Sequence, residues 1–388
     1  MAKIRFIERT PRELKYKLGE GDPALRPEDV ESIAQIFRTP LTGSYTWSYE
    51  EADRRIRKLY RLGKERNWNA ETDIDWSKPI DRKKNPIVEG LDNPFEGWDV
   101  FDRMSEEEHV EFAWHQQSWM LSQFLHGEQG ALLVASQLVS CAPTYDAKLY
   151  AASQTFDEAR HVEVFNKYIM DRVGFMYPIN ANLKLLLDKV LTDERWDLKF
   201  IGMQLVIESL ALAAFNTQKM ISADPVMSEV LDLVTRDEAR HVAFGVTYME
   251  EFVKSLTEQE REDRAQFAYE ACCIMRERIV GTDVFAHYGW DTEEGRRRLL
   301  SGGMMAEFRN LLFMRIIPNL KKVGLITERV RPLYEELGVL KFENLVDDGQ
   351  IDWAKLEEAL PEYATSGESG VKQSGIRELT PRTRSATG

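Results

Sequence analysis

Two identical pentapeptides carry the residues in this chain best suited to chemistry. They are Asp157-Glu158-Ala159-Arg160-His161 and Asp237-Glu238-Ala239-Arg240-His241, each followed by valine. On a helix, a Glu and a His three positions apart share a face, so each copy aims one carboxylate and one imidazole the same way. Each copy has a lone glutamate 30 positions upstream in an apolar run, Glu128 before Glu158 and Glu208 before Glu238. A buried glutamate is costly unless it is paired, protonated or bound to a cation. One Glu-x-x-His pair alone can sit on any solvated face. Two such pairs with two lone glutamates at equal spacing form the pattern that holds two metal ions inside a four-helix bundle. Glu128, Glu158, His161, Glu208, Glu238 and His241 are therefore expected at one centre. Carboxylates bridge cations and imidazole suits iron, manganese or zinc, so this oxygen-rich set favours iron or manganese over a thiolate-type zinc site.

The repeated aspartates and arginines suit a supporting role. A ligating histidine usually donates its other N–H to a carboxylate or carbonyl. Asp157 and Asp237 are each expected to orient the histidine of the opposite half, with Arg160 and Arg240 pairing to those aspartates. Within a turn of the ligands lie Phe124, Leu132, Gln154, Phe165, Gln204, Leu212 and Phe215, with Ala131, Ala135 and Ala211. These could line an apolar pocket with a few polar contacts. His109, His115 and His126 read as ordinary helix residues. The basic runs 54–66 and 296–298 read as solvated faces, or more rarely as docking sites for an acidic electron-transfer partner or an anionic substrate tail.

The elements that would position these residues are long helices. Ser105 and Glu108 form a capping box that opens a helix running towards Cys141, broken by Pro143. A second helix spans 144–173 and stops at Gly174. A shorter one covers 182–191 and a third long helix 193–221. Asp224-Pro225, cap then first-turn proline, opens a fourth that continues to about 254. Thr257 and Glu260 cap a fifth that ends at Gly281. Later helices are expected near 302–322, 327–337 and 351–360. The repeat thus comprises two helix pairs, 105–173 and 193–254. Upstream, a short helix is expected after Pro27, and a capping box over 48–51 opens a basic helix. Residues 67–103, with Trp68, Trp76 and Trp98 among several prolines, read as an ordered irregular wrap. No alternating strand pattern competes, and the last twenty or so residues have the composition of a disordered tail. The fold class is all-α: an N-terminal extension over 1–104, a helical di-metal domain over 105–340 and a C-terminal segment over 341–388.

Composition narrows the partners. A formal charge of −14 over 388 residues disfavours nucleic acid. Cys141, Cys272 and Cys273 make no disulfide framework, which suits a reducing cytoplasm. The N-terminus lacks the apolar core of a signal peptide. The longest apolar run, 200–215, is too short to span a bilayer and carries Gln204 and Glu208. It reads as a buried helix.

The six-position pattern resembles the ferritin-like, carboxylate-bridged di-iron superfamily over residues 105–255. That group includes ribonucleotide reductase small subunits and multicomponent monooxygenase hydroxylases. The doubled Asp-Glu-x-Arg-His is most similar to its oxygenase branch. The resemblance implies a ferritin-like four-helix bundle with extra N- and C-terminal helices, two iron ions (with manganese or mixed Mn/Fe as options), dioxygen as co-substrate and an apolar or aromatic organic substrate. The expected enzyme is a cytoplasmic homodimeric monooxygenase, and since no flavin or nicotinamide motif is visible its electrons are expected from a separate ferredoxin or reductase. Three positions depart from neighbouring families. Phe165 stands where ribonucleotide reductase small subunits commonly carry a radical tyrosine, and Leu212 where multicomponent monooxygenases carry a threonine. Val234 stands where aryl-amine N-oxygenases carry an extra histidine, which argues against that branch. The alternatives are a radical-generating small subunit or ligand-binding oxidase, and a non-enzymatic iron-binding ferritin-like protein.

Overall fold

The computed structural model describes residues 37–350, except 89 and 92, together with a two-residue strand near the N-terminus. The first helix, α1 (Arg54–Glu65), is capped by Asp53, whose carboxylate accepts the N–H groups of Arg55 and Ile56. The capping box expected over 48–51 opens no helix. The N–H groups of Ala52 and Asp53 donate instead to Asp146 at 2.8 and 2.9 Å, which holds this stretch irregular until Asp53. Residues 67–98 form the irregular wrap, closed by the single turn α2 (Asp99–Asp102).

The Ser105–Glu108 box opens α3 (Glu106–Cys141), 36 residues long. Thr144 caps α4 (Tyr145–Tyr168), which widens into a π-helical turn over Ile169–Val173. Gly174 ends it at φ 85, where a side chain would be strained. Asn180 caps α5 (Ala181–Thr192). The apolar run becomes α6 (Trp196–Ile221), with a π-helical stretch over Ile201–Glu208. This helix is long and apolar enough to cross a membrane, but 89% of that stretch is buried inside the fold. Asp224 and Pro225 open α7 (Pro225–Val253). The Thr257–Glu260 box opens α8 (Glu258–Glu277), which ends one turn short of Gly281. Then follow α9 (Thr282–His287), α10 (Thr292–Ser301), α11 (Gly303–Lys322) and α12 (Arg331–Glu336). The sequence reading missed α9, which is too short to show a period, and α10, although Asp291 caps α10 through Glu293 and Glu294. A two-residue ribbon, β1 (Arg12–Glu13) against β2 (Phe175–Met176), was also unexpected, because two residues cannot show alternation. The helices expected after Pro27 and at 351–360, and the C-terminal tail, lie outside the described residues.

The bundle consists of α3 packed along α4 and α6 packed along α7, with α4 meeting α7 and α3 meeting α6. Its core is filled by side chains such as Val134, Leu138, Val164, Leu205, Leu212, Val234 and Val242, all fully buried. Around it, α1 covers α4 and α7, α8 lies on α5 and α6, and α11 lies on α6. Ile56, Leu59 and Trp68 join the same core, so the N-terminal wrap packs on the bundle.

The approach of α7 to the π-helical stretch of α6 depends on a missing side chain. A Cβ on Gly245 would stand 2.5 Å from Cβ of Gln204, an atom that cannot swing away. Overpacking of this kind costs about 1–3 kcal/mol. Gly245→Ala is expected to lower stability by that amount, read from the midpoint of urea unfolding. An unchanged midpoint would mean that the two helices are further apart than described.

Candidate metal centre

The four bundle helices bring all six predicted side chains to one buried centre. Glu128 comes from α3, Glu158 and His161 from α4, Glu208 from α6, and Glu238 and His241 from α7; all six are buried. Donor atoms of Glu128, Glu158, His161 and Glu238 lie within 4.8 Å of one another, as do those of Glu158, Glu208 and His241. Nδ1 of His161 stands 3.2 Å from Glu128, 3.3 Å from Glu158 and 3.1 Å from Glu238. Nδ1 of His241 stands 3.1 Å from Glu158 and 3.6 Å from Glu238. Glu158 and Glu238 thus each face both histidines, whereas Glu128 sits with His161 and Glu208 with His241.

The protein leaves part of this donor set unsatisfied. Glu158 Oε2, Glu208 Oε2, Glu238 Oε1 and His241 Nδ1 are buried without a hydrogen-bond partner. Such groups are rare because each carries its desolvation cost uncompensated. Burial pushes the Glu128 carboxyl well above the ordinary range, with the nearby Glu238 charge adding to it. Burial raises Glu208 as well, although His241 works against the shift. Burial would lower both imidazoles, but the surrounding carboxylates outweigh it and hold His161 and His241 well above their usual value. The histidine shifts report the carboxylates around them, and the glutamate shifts report chiefly burial. With neutral imidazoles, four glutamates and two aspartates face two arginines, a deficit of four charges that two divalent ions match. The donor set therefore fits a di-metal cofactor.

The far nitrogens are held across the repeat. Nε2 of His161 pairs with Asp237 at 3.2 Å, and Nε2 of His241 with Asp157 at 3.2 Å. With Nε2–H donating to the aspartate, each Nδ1 presents its lone pair to the glutamates. Arg160 donates to Asp157 at 2.6 Å and Asp237 at 3.0 Å. Arg240 donates to Asp237 and, at 3.3 Å, to Asp157. The result is a closed ring of two arginines and two aspartates joining the halves. Trp68 joins it by donating its indole N–H to Asp237 at 2.7 Å, with its ring against Arg160 and nearly parallel to His161. The sequence reading placed Trp68 only in the wrap; the available signal was that a buried indole N–H needs an acceptor.

A small cavity opens beside Glu128, Glu208 and Glu238. It is walled by Phe124, Ala131, Ile207, Ala211 and Phe215, with Gln123, Gly127 and Arg278. Its free volume is about 20 Å³, room for one molecule the size of water. Of the expected lining residues, Phe124 and Phe215 face it, together with Ala131 and Ala211. Leu132, Gln154, Phe165, Gln204 and Leu212 do not. Phe165 packs behind the two phenylalanines, at 5.8 Å from Phe124 and 5.6 Å from Phe215. Gln154 donates to Glu208 at 2.7 Å and to Glu158 at 3.1 Å, so it braces carboxylates instead of walling the cavity. Gln204 reaches Gln154 at 3.4 Å, Leu212 is fully buried core, and Leu132 is half-buried. Gln123, Ile207 and Arg278 were not foreseen. Arg278 lies far along the chain, where no spacing rule links it to Glu128.

Residues 49–324 match the family model described as P-aminobenzoate N-oxygenase AurF. The chain belongs to this family. Its members are di-iron monooxygenases of the ferritin-like superfamily. The match overturns the inference drawn from Val234, which had argued against the N-oxygenase branch. Membership rests on the helical body as a whole, and one core position, here a buried valine, does not decide it. Comparison with curated proteins finds no match. Among solved structures, a single-site variant of an R2-like ligand-binding oxidase with anaerobically reconstituted Mn/Fe cofactor is 18% identical, covering 71% of this chain and 94% of that one at a TM-score of 0.46. A second variant of that oxidase is 17% identical, covering 72% and 96% at a TM-score of 0.47.

The aspartate ring generates a prediction. In Asp237→Asn, His161 loses its anionic acceptor, and Arg160 and Arg240 each keep one carboxylate partner instead of two. Loss of such a partner typically weakens metal binding about 10–100-fold. Chelator competition on the variant should show a drop in that range while the circular dichroism stays helical. Wild-type affinity would show that the ring does not serve the site.

Proposed function

We propose that this di-iron monooxygenase oxidises an apolar or aromatic small organic substrate with electrons from a separate ferredoxin or reductase, and that it works as a cytoplasmic homodimer. The observation that carries the reading is the set of four buried glutamates and two histidines with unsatisfied donor atoms, placed beside an apolar cavity. Glu128 and His161 would hold one iron, Glu208 and His241 the other, with Glu158 and Glu238 between them. Two bound irons supply reductive activation of dioxygen and delivery of one oxygen atom to the substrate.

The protein's own residues prepare that chemistry. Asp157 and Asp237 fix the tautomer and orientation of the imidazoles. Gln154 holds Glu208 and Glu158 through its amide. Phe124, Ile207, Ala211 and Phe215 keep bulk water from the reacting face. An organic substrate exceeds the present cavity, so its entry must displace the aromatic walls. Monooxygenation sends the second oxygen atom to water, which consumes two electrons and two protons from outside. The sequence shows no flavin or nicotinamide motif, which supports an external donor.

Protein loaded with iron anaerobically should hold two irons per chain by metal analysis, with a Mössbauer signature of a coupled pair after exposure to oxygen. Glu208→Ala should lose metal or oxygen reactivity while remaining helical; unchanged metal content and reactivity would reject Glu208 as a ligand. Stoichiometric turnover without external reductant would overturn the need for an electron partner.

A further inference from the structure

A carboxylate late in the chain is buried without sharing in the donor set. Asp348, in the 3-10 turn Asp348–Gln350, is fully buried. Arg315 of α11 donates to its Oδ1 at 2.6 Å. Asn319, one turn along the same helix and also fully buried, donates to its Oδ2 at 2.7 Å. The backbone N–H of Asp348 donates back to Oδ1 of Asn319 at 2.9 Å. The turn is also seated against α7, since a Cβ on Gly349 would stand 2.9 Å from Cγ1 of Val246. A buried ionic cluster often gains little stability over apolar packing of the same shape; its return is a fixed geometry.

That geometry has a recipient. The backbone N–H of Asp348 can only donate and its carboxylate only accept, so the Asn319 amide has one orientation. Its NH2 group then also meets Oγ of Ser209, at 3.1 Å. Ser209 directly follows Glu208, at the end of the π-helical stretch of α6. Its hydroxyl donates to the carbonyl of Gln204 at 3.4 Å, five positions back. On a regular helix a serine hydroxyl reaches the carbonyl three or four positions back; the extra residue belongs to the widened turn. The side chain of the same Gln204 donates to Gln154, which in turn donates to Glu208. The widened turn is therefore pinned twice, by Gln154 beside the donor set and by Ser209 on the side of α11. Relaxation of a π-helical turn to regular helix shifts the phase of what it carries, and here that would change where Glu208 points.

We propose that Asn319 is a positioning residue of the metal centre: oriented by Asp348, it fixes Ser209 and through it the widened turn that presents Glu208, so the turn Asp348–Gln350 sets how tightly the ion between Glu208 and His241 is held. The assignment deepens the metal-centre reading and rests on Glu208 being a ligand. None of Ser209, Asn319 and Asp348 touches an ion; each acts through the main chain of α6. Because Glu128 comes from α3, the ion it shares with His161 lies outside this chain of bonds. The effect is therefore selective for one of the two metal positions.

The test loads the full chain anaerobically with iron(II) and titrates in a ferrous chelator, counting the iron retained per chain and recording circular dichroism on the same samples. Ser209→Ala, which removes one hydroxyl, and Asp348→Ala should each release one ion at about ten-fold less chelator than wild type. The other ion should leave at the wild-type concentration. Asn319→Leu should match Ser209→Ala, and the double variant should be no weaker than Asn319→Leu alone, since both cut one chain of bonds. Should the leucine variant fail to fold, Ser209→Ala still decides. Wild-type retention in Ser209→Ala or Asp348→Ala overturns the proposal. So does parallel loss of both ions with a lowered thermal midpoint, the mark of a general weakening of the fold. Glu208→Ala, run beside them, separates the two readings. If it keeps two ions, or if wild type takes up none, the ligand assignment fails and the proposal with it. If Glu208→Ala releases one ion while Ser209→Ala keeps both, the ligand assignment stands and only the role of Asn319 falls.

Discussion

Four glutamates packed inside one helical bundle create a negative charge that the protein does not neutralise, and much of the surrounding structure is a response to it. Placing carboxylates in a low-dielectric interior is favourable only with cations near at hand. The aspartate–arginine ring supplies none, since its two arginines are consumed by its two aspartates. What the ring does supply is rigidity: it ties α4 to α7 and fixes each imidazole from behind. A metal pair therefore meets a donor set already in place and does not have to draw loose side chains together. The cost of holding carboxylates and lone pairs unsatisfied falls on the metal-free fold, so binding the ions and stabilising the bundle are linked.

Much of this was legible in the sequence because it is written twice. Repetition of Asp-Glu-Ala-Arg-His with equal spacing to Glu128 and Glu208 constrained four helices at once, and caps such as Ser105, Asp224 and Thr257 marked where they begin. The cross-half partnership of aspartate and histidine could be anticipated for the same reason. The unrepeated parts could not be read this way. Trp68, Gln154 and Arg278 each occur once, and each reaches the site from its own direction. The π-helical stretch over Ile201–Glu208 shifts helical phase just before Glu208, so Gln204, placed by a regular period, does not face the cavity. The capping box at 48–51 failed because a distant carboxylate, Asp146, captured the backbone N–H groups that a helix would have used. Local pattern cannot foresee that competition.

A doubled sequence does not make a symmetric site. Among the described residues, Trp68 donates to Asp237 and no equivalent indole meets Asp157. Gln154 braces Glu158 and Glu208, whereas Glu128 has no such amide and borders the cavity with Arg278. One face of the cluster is covered by the aspartates, the arginines and the indole. The opposite face, bounded by Glu128, Glu208 and Glu238, meets apolar walls and a lone guanidinium. The elements that border the two faces, α8 on one and the N-terminal wrap on the other, lie outside the repeat. The repeat accounts for the paired donor set; the walls of the cavity beside it come from residues that occur only once.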